Sequence, residues 1–115
     1  MEHAHAVGAF SALGHEHRLA VYRLLVEAGP EGLSAGAIAG ALGLPPSSLT
    51  FHTQALLRAG LISQRRESRL LISAADFTAM SALVAYLTEN CCVGAQGCAA
   101  PSKQGAPISK KNARA

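Results

Sequence analysis

The sequence predicts a mainly α-helical domain that carries one small β-hairpin. Half of the 115 residues are hydrophobic but only 4% are aromatic, and this composition favours helices over a sandwich or a barrel. Apolar residues recur at helical spacing along most of the chain, whereas alternation appears only around Leu70 and Ile72. A chain of this length can bury one core, and oligomerisation would add to its stability.

Two helices are predicted before the first Gly-Pro pair. The opening stretch indicates a short helix that ends near Leu13, and EHRLAVYRLLVEA, residues 16–28, has a wide apolar face. Gly29 and Pro30 end this second helix because both residues are poor at continuing one.

The next two helices are separated by a Gly-Leu-Pro-Pro turn. Ser34 is the predicted N-cap of SAGAIAGALGL, which closes at Gly43. The following stretch, SSLTFHTQALLRAG, is a helix that either Ser47 or Ser48 can cap, with Phe51 expected in the core. Two short helices joined in this way indicate a helix-turn-helix.

A hairpin and a last helix complete the pattern. LISQRR and RLLISA predict two strands with Glu67 and Ser68 between them, and Asp76 can cap the helix DFTAMSALVAYLTENCC. The order of four helices, a hairpin and a helix is that of a winged helix-turn-helix. The first and last helices both carry apolar stripes, so we expect a homodimer that forms through them.

The net charge of +3 resides in the tail. Four basic residues and no acidic residue follow Cys98, which leaves a net charge of −1 on the preceding part. We therefore expect one domain over residues 1–98, with its sensor site at the end, and a disordered basic tail over residues 99–115. Without a membrane span or a secretory signal, the expected location is the cytoplasm, where thiols stay reduced.

A basic cluster and a polar helix start predict contact with DNA. Short or flexible polar groups begin the fourth helix, whose N-terminal end faces the major groove in helix-turn-helix proteins. Arginines follow at its end and on the predicted wing, where contact with phosphate is natural. We expect one wing arginine to be a plain solvated charge. The candidate DNA-binding residues are Ser47, Ser48, Thr50, His52, Gln54, Arg58, Arg65, Arg66 and Arg69.

All three cysteines lie in ENCCVGAQGC, residues 89–98. They could be semi-buried apolar residues, a redox pair with a resolving thiol, or ligands of a soft ion. A thiol oxidoreductase is not expected, since there is no Cys-x-x-Cys motif. The histidines His3, His5, His15 and His17 could form a metal site, but each pair is two residues apart and would splay on a helix. We therefore expect them to be solvated or to make local hydrogen bonds.

LPPSSLTFHTQALLRAGLI, residues 44–62, resembles the recognition helix of the ArsR family of winged-helix metalloregulatory repressors. EHRLAVYRLLVEAG and SQRRESRLLISAADF resemble the second helix and the wing of that family, and the resemblance covers residues 10–98. The family's Cys-x-Cys position reads LSAGAIAG here, and the last helix has no histidine for the zinc-sensing site. The segment ENCCVGAQGC is similar to that of the subgroup that binds trivalent arsenic.

The resemblance implies that Cys91, Cys92 and Cys98 bind As(III) or Sb(III) as an inducer, with no organic cofactor. Three sulfurs complete the trigonal pyramid of such an ion, whereas Zn(II) would need a fourth ligand from Glu89, a histidine elsewhere or the partner subunit. Successive residues on a helix point about 100° apart, so we expect the last turn to unwind before both cysteines bind one ion.

The resulting hypothesis is a homodimeric repressor that binds operator DNA and leaves it when As(III) or Sb(III) binds. The resemblance implies target genes for arsenic efflux or reduction. We expect no enzyme activity, because no set of nucleophile, base and orienting group appears. Two alternatives stay open: a redox- or Zn/Cd-responsive repressor, and a thiol-based metal carrier without specific DNA binding.

Overall fold

The structure is a computed structural model that describes residues 1–94, so the predicted tail lies outside the described residues. Within that part, five helices and three strands follow one another. They are α1 (His3–Leu13), α2 (Glu16–Ala28), β1 (Leu33–Ser34), α3 (Ala35–Leu42), α4 (Pro46–Arg58), β2 (Ile62–Glu67), β3 (Leu70–Ala75) and α5 (Phe77–Thr88). This order confirms the predicted winged helix-turn-helix. The unpredicted element is β1, whose two residues are too few to show alternation.

Two compact units divide the chain after Leu83. The first unit, Met1–Leu83, contains α1 to α4, the sheet and the start of α5. The second unit begins at Val84, and its described part holds the end of α5 and the turns of residues 89–94. The single domain expected over residues 1–98 stays a prediction.

Two predicted helix caps are confirmed by hydrogen bonds. The Ser34 hydroxyl accepts from the Ala37 N–H at 3.1 Å, and the Asp76 carboxylate accepts from the Ala79 N–H at 3.0 Å. Each bond satisfies one of the N–H groups that a helix start leaves without an intrahelical partner. The first helix of the helix-turn-helix, α3, and the last helix, α5, therefore begin near the positions that the sequence predicts.

The start of α4 differs from its prediction. Pro45 is the N-cap residue, Pro46 occupies the first turn, and no side chain caps the helix. The expected cap by Ser47 or Ser48 is wrong, because proline already has the φ angle of the first helical turn and has no N–H to satisfy. Ser47 and Ser48 therefore lie inside the first turn.

The wing is the antiparallel hairpin of β2 and β3, and β1 pairs with the other edge of β3. Glu67 pairs with Leu70, so the turn consists of Ser68 and Arg69, one residue later than predicted. Ser68 adopts a left-handed conformation with φ 57°, which serves in place of a turn glycine. The predicted hairpin is confirmed.

The core of the first unit lies where α2, α3, α4 and the start of β2 meet. Leu25 of α2, Ile38 of α3, Leu56 of α4 and Leu61 are fully buried. Burying a leucine or isoleucine side chain stabilises the fold by about 1.5–3 kcal/mol. These contacts fix α4 to the rest of the unit and leave its other face exposed.

Tyr22 of α2 is buried, and its hydroxyl has no hydrogen-bond partner among residues 1–94. Burial, followed by the nearby charge of Asp76, raises the pKa of Tyr22 above its ordinary value. We expect Tyr22→Phe to leave stability at pH 7 unchanged or to raise it by up to about 1 kcal/mol, since an unsatisfied hydroxyl is removed.

The raised pKa of Tyr22 also predicts a pH dependence of stability. The unfolded tyrosine ionises near pH 10 and the folded one only above that, so the protein loses stability as pH rises past about 10. Urea unfolding of wild type and Tyr22→Phe, at pH 7 and above pH 10, measures this loss. An equal alkaline loss in the variant would contradict the assignment to Tyr22.

Candidate nucleic-acid interface and cysteine segment

One face of α4 is exposed and mostly polar. Ser47, Thr50, Gln54 and Arg58 follow at helical spacing, and all four are exposed. Phe51 lies beside them and is 63% exposed, so its expected place in the core is wrong. The helical spacing from the buried Leu49 puts positions 52, 53 and 56 on the inner face of α4, and position 51 does not lie on that face.

His52 lies on the opposite, buried face of α4. The residue is only 6% exposed, and Ser48 is half-buried. The predicted contact of His52 with DNA is therefore wrong, since its ring faces the interior. Burial lowers the pKa of His52 below its ordinary range, and the neighbouring His15, Arg18 and His17 lower it further.

Three histidines meet beside the N-terminus of α2. The ring of His52 lies 4.7 Å from that of His15 and 5.5 Å from that of His17, measured between ring centroids. The expected splaying of His15 and His17 does not apply, because His15 is the extended N-cap residue of α2 and lies outside the helix. The sequence signal that could have indicated this cluster is the inward position of His52 on α4.

The three arginines of the wing differ in whether they bond to other residues of the protein. Arg65 donates from Nε to the Glu67 carboxylate at 2.8 Å and from Nη2 to the Glu31 carbonyl at 2.9 Å. Arg66 and Arg69 are exposed, and neither makes a side-chain hydrogen bond or an ion pair within residues 1–94. The two latter guanidinium groups can bind phosphate without giving up a partner.

Arg58 lies at the C-terminal end of the exposed face of α4. It lines a shallow groove of about 370 Å³ between α1, α2 and α4, together with Arg18 and Phe51. Arg18 donates from Nε to the Ala12 carbonyl at 2.7 Å, which holds it beside the groove. Two guanidinium groups at one groove attract anions, so the DNA phosphate expected at Arg58 is chemically reasonable.

The cysteines lie after the last helix and not on it. α5 ends at Thr88, whose hydroxyl donates to the Val84 carbonyl at 3.1 Å, and turns follow. Asn90 and Cys92 have φ angles of 60° and 65°, a left-handed conformation that an α-helix cannot contain. The predicted helix through Cys92 is therefore too long by one turn.

This backbone brings two sulfurs together. The Cys91 and Cys92 Sγ atoms are 3.2 Å apart, and Cys91 is an exposed free thiol. The expectation that a helical turn must unwind before both cysteines can reach one ion is wrong, because the helix has already ended. Cys98, the third predicted ligand, lies outside the described residues.

Large apolar side chains are exposed on the helices predicted to form a dimer. On α1, Val7 is 53% and Phe10 is 38% exposed. In the second unit, Val84 is 56% and Leu87 is 63% exposed on the end of α5. Each face is the kind of surface that a partner subunit covers.

The chain has recognisable relatives among known proteins. A helix-turn-helix domain model matches residues 13–65, which include α2 to α4 and most of β2. The solved structure of HlyU from Vibrio cholerae is 30% identical and covers 80% of this chain and 99% of its own, with a TM-score of 0.63. Comparison with curated protein sequences found no match.

Two further solved structures have the same fold. The homodimeric winged helix-turn-helix domain of Mb0332 from Mycobacterium bovis, described as a possible ArsR-family regulator, is 27% identical, with a TM-score of 0.59, and covers 76% of this chain and 81% of its own. An ArsR-like regulator from Rhodococcus is 24% identical, with a TM-score of 0.65, and covers 73% and 76%. No helix within residues 1–94 is both long and apolar enough to span a membrane.

Proposed function

Because this chain belongs to the ArsR family of winged helix-turn-helix transcriptional regulators, we propose that it is a homodimeric repressor that As(III) or Sb(III) releases from operator DNA. The observation that carries the DNA-binding part is the exposed polar face of α4, together with two exposed wing arginines, Arg66 and Arg69, that make no side-chain hydrogen bond or ion pair within residues 1–94. The observation that carries the sensing part is the close pair of sulfurs of Cys91 and Cys92 after α5.

The recognition helix α4 would lie in the major groove with its N-terminal half toward the base edges. Gln54 is exposed and can make a bidentate contact with adenine. The Thr50 hydroxyl donates to the Pro46 carbonyl at 3.0 Å, so it keeps acceptor capacity only. Ser47 and Arg58 would contact phosphates that fix the register of the helix on the duplex.

Dimer formation would present two such helices to DNA. The exposed Val7 and Phe10 of α1 offer one apolar face, and Val84 and Leu87 of α5 offer another. A two-fold dimer uses the same patch on both subunits, so its operator has two-fold related half-sites about one helical turn apart. The homodimeric state of the Mb0332 domain supports this expectation.

The spacing of Cys91 and Cys92 suits a pyramidal ion. Two ion–sulfur bonds of about 2.3 Å span 3.2 Å when the angle between them is about 90°. That angle is near the geometry of a trigonal pyramid, whereas a tetrahedral zinc ion holds its ligands further apart. Cys98 is six residues further along the chain and would supply the third sulfur.

Binding at this position would act on the end of α5. An ion held by Cys91, Cys92 and Cys98 would fix the turns after Thr88 and draw residues 93–98 toward them. If α5 contributes to the dimer contact, the spacing of the two recognition helices changes with it. Coupling between two such sites is typically about 1–3 kcal/mol, or about 5–150-fold in DNA affinity.

Fluorescence anisotropy with DNA from upstream of the protein's own gene tests this proposal. We expect reduced wild type to bind at near-physiological salt and to lose about 5–150-fold in affinity when As(III) or Sb(III) is added. Cys91→Ser should bind the same DNA and lose this response, because it removes one of the two sulfurs that lie 3.2 Å apart. Cys98→Ser should show a weakened response.

Glu89→Gln provides the matched control beside the cysteines. It removes a carboxylate that a four-coordinate zinc site could use as its fourth ligand and leaves all three sulfurs, so its As(III) response should be intact. Release by Zn(II) or Cd(II) but not by As(III), with dependence on Glu89, would replace this proposal with the zinc alternative. Absence of specific DNA binding would favour a metal carrier.

A redox-responsive repressor is the second candidate, since Cys91 is an exposed thiol beside another sulfur. Peroxide can oxidise the Cys91 thiol to a sulfenic acid, and a thiol from a second cysteine of the reduced segment would then condense with it to form a disulfide with loss of water. Thiol counts and anisotropy before and after peroxide separate this candidate from As(III) sensing.

A cytoplasmic location stays a prediction.

A further inference from the structure

The proposed repressor function uses none of the three histidines beside the N-terminus of α2, which are His15, His17 and His52. At least one ligand atom of each ring lies within 4.8 Å of one from each of the other two. His15 and His17 come from α2 and its cap, and His52 comes from the recognition helix. The cluster therefore joins two elements that the core also holds together.

His52 is the buried member of this cluster. The residue is 6% exposed, and its Nδ1 atom has no hydrogen-bond partner among the described residues. A buried polar atom without a partner costs about 1–3 kcal/mol, and such atoms are rare in native folds. Apolar residues of similar size would fill the position at lower cost, so a second role for the imidazole explains its presence.

A set of three neutral imidazoles has the chemistry of a transition-metal site. Imidazole nitrogens suit Zn(II), Co(II), Ni(II) and Cu(II), and zinc sites with three histidines keep a fourth position for water. We propose that His15, His17 and His52 bind one divalent transition-metal ion of this class, such as Zn(II), with a fourth ligand from solvent.

The geometry needs only a small adjustment. Zn–N bonds of about 2.0–2.1 Å place two ligand nitrogens about 3.4 Å apart, so the rings must move closer than the 4.8 Å limit. His17 is exposed and can rotate toward His52. His15 also has to give up the hydrogen bond that its Nδ1 accepts from the His17 N–H at 3.1 Å, which is exposed and therefore weak.

One charge opposes the site. Arg18 is close enough to His52 to act on it electrostatically, and its Nε donates to the Ala12 carbonyl. The cation therefore binds against one positive charge, and within residues 1–94 no carboxylate belongs to the cluster. We expect affinity for imidazole-preferring metals and none for Mg(II) or Ca(II), which need oxygen ligands. An ion here would tie the N-terminus of α2 to the middle of α4.

Titration of the full-length chain with Co(II) tests the site. We expect one Co(II) per chain with visible d–d bands and no thiolate-to-cobalt charge transfer, and displacement by Zn(II). The same result should appear when Cys91, Cys92 and Cys98 are all replaced by Ser, which separates this site from the cysteine segment. Thermal unfolding with Zn(II) should show a raised Tm.

His17→Gln is the decisive variant, because His17 is exposed and its loss should not affect folding. We expect Co(II) affinity to fall by at least about 10–100-fold, which is the cost of losing even an outer-shell partner. His5→Gln, at an exposed histidine outside the cluster, is the matched control and should bind as wild type. His52→Gln should also lose the metal while its far-UV circular dichroism stays native.

Two results would overturn the proposal: no Co(II) binding in the Cys-free chain, or equal weakening by His5→Gln and His17→Gln. Neither result depends on DNA binding or As(III) release, so this site and the proposed repressor function fail separately.

Discussion

Replacing Arg66 and Arg69 by alanine is expected to weaken operator binding by about a thousandfold at 0.15 M salt. A homodimer presents two wings, so the double variant removes four guanidinium groups from the DNA. Each phosphate contact contributes about 0.9 to the slope of log K against log salt, which is about 1 kcal/mol at this salt concentration. Both side chains are exposed, and neither has a protein partner within residues 1–94 that would compete with DNA phosphate for its guanidinium group.

Anisotropy titrations over a range of salt concentrations measure this effect. We expect the salt slope to fall by about 3–4, with the loss similar for operator and unrelated DNA. Arg23→Ala, at an exposed position of α2, controls for net charge, and Arg65→Ala should cost less because Arg65 bonds to Glu67 and Glu31. An unchanged slope in the double variant would remove the wing from the interface.

Gly32→Ala is expected to destabilise the fold by about 2–4 kcal/mol. Gly32 has a φ angle of 74°, and an added Cβ would lie 2.3 Å from the Ser73 carbonyl oxygen on β3. The close approach results from the pairing of Leu33 with Ser73 immediately after it. A backbone atom in a paired strand cannot move aside, so the strain and the clash add together.

Gly36→Ala is the matched control for this stability prediction. Gly36 lies in α3 with open space around the position of its Cβ, so alanine there should stabilise the helix by about 0.5–1 kcal/mol. Urea unfolding followed by circular dichroism compares the two variants with wild type. Equal midpoints for Gly32→Ala and wild type would contradict the strained position.

The residues around α4 illustrate how far the sequence could predict the site. Helical spacing identified the helix, and the polar types at Ser47, Thr50 and Gln54 indicated a surface for DNA. The assignments of Phe51 and His52 were exchanged: the aromatic residue is exposed and the histidine is buried. Polarity suggested the wrong face at these two positions because residue type is only a statistical guide to burial. Once Leu49 and Leu56 are known to be buried, the helical period decides which other positions of α4 face the core.

The cysteine segment gives a second case. The sequence indicated three thiols at the end of a helix, but the end of α5 at Thr88 depends on the left-handed turn at Asn90 and Cys92. Asparagine tolerates that conformation, yet no local pattern requires it. The short distance between the two sulfurs follows from the turn and could not be derived from helical geometry.

The sequence by itself determined the features that depend on residues a few positions apart. These are the order of elements, the caps at Ser34 and Asp76, the hairpin, and the clustering of arginines and cysteines. Tertiary structure alone decided which side of α4 is buried, which wing arginine is already paired, and that His52 lies beside His15 and His17. These outcomes join residues more than thirty positions apart, and such contacts form only when the core positions one helix against another.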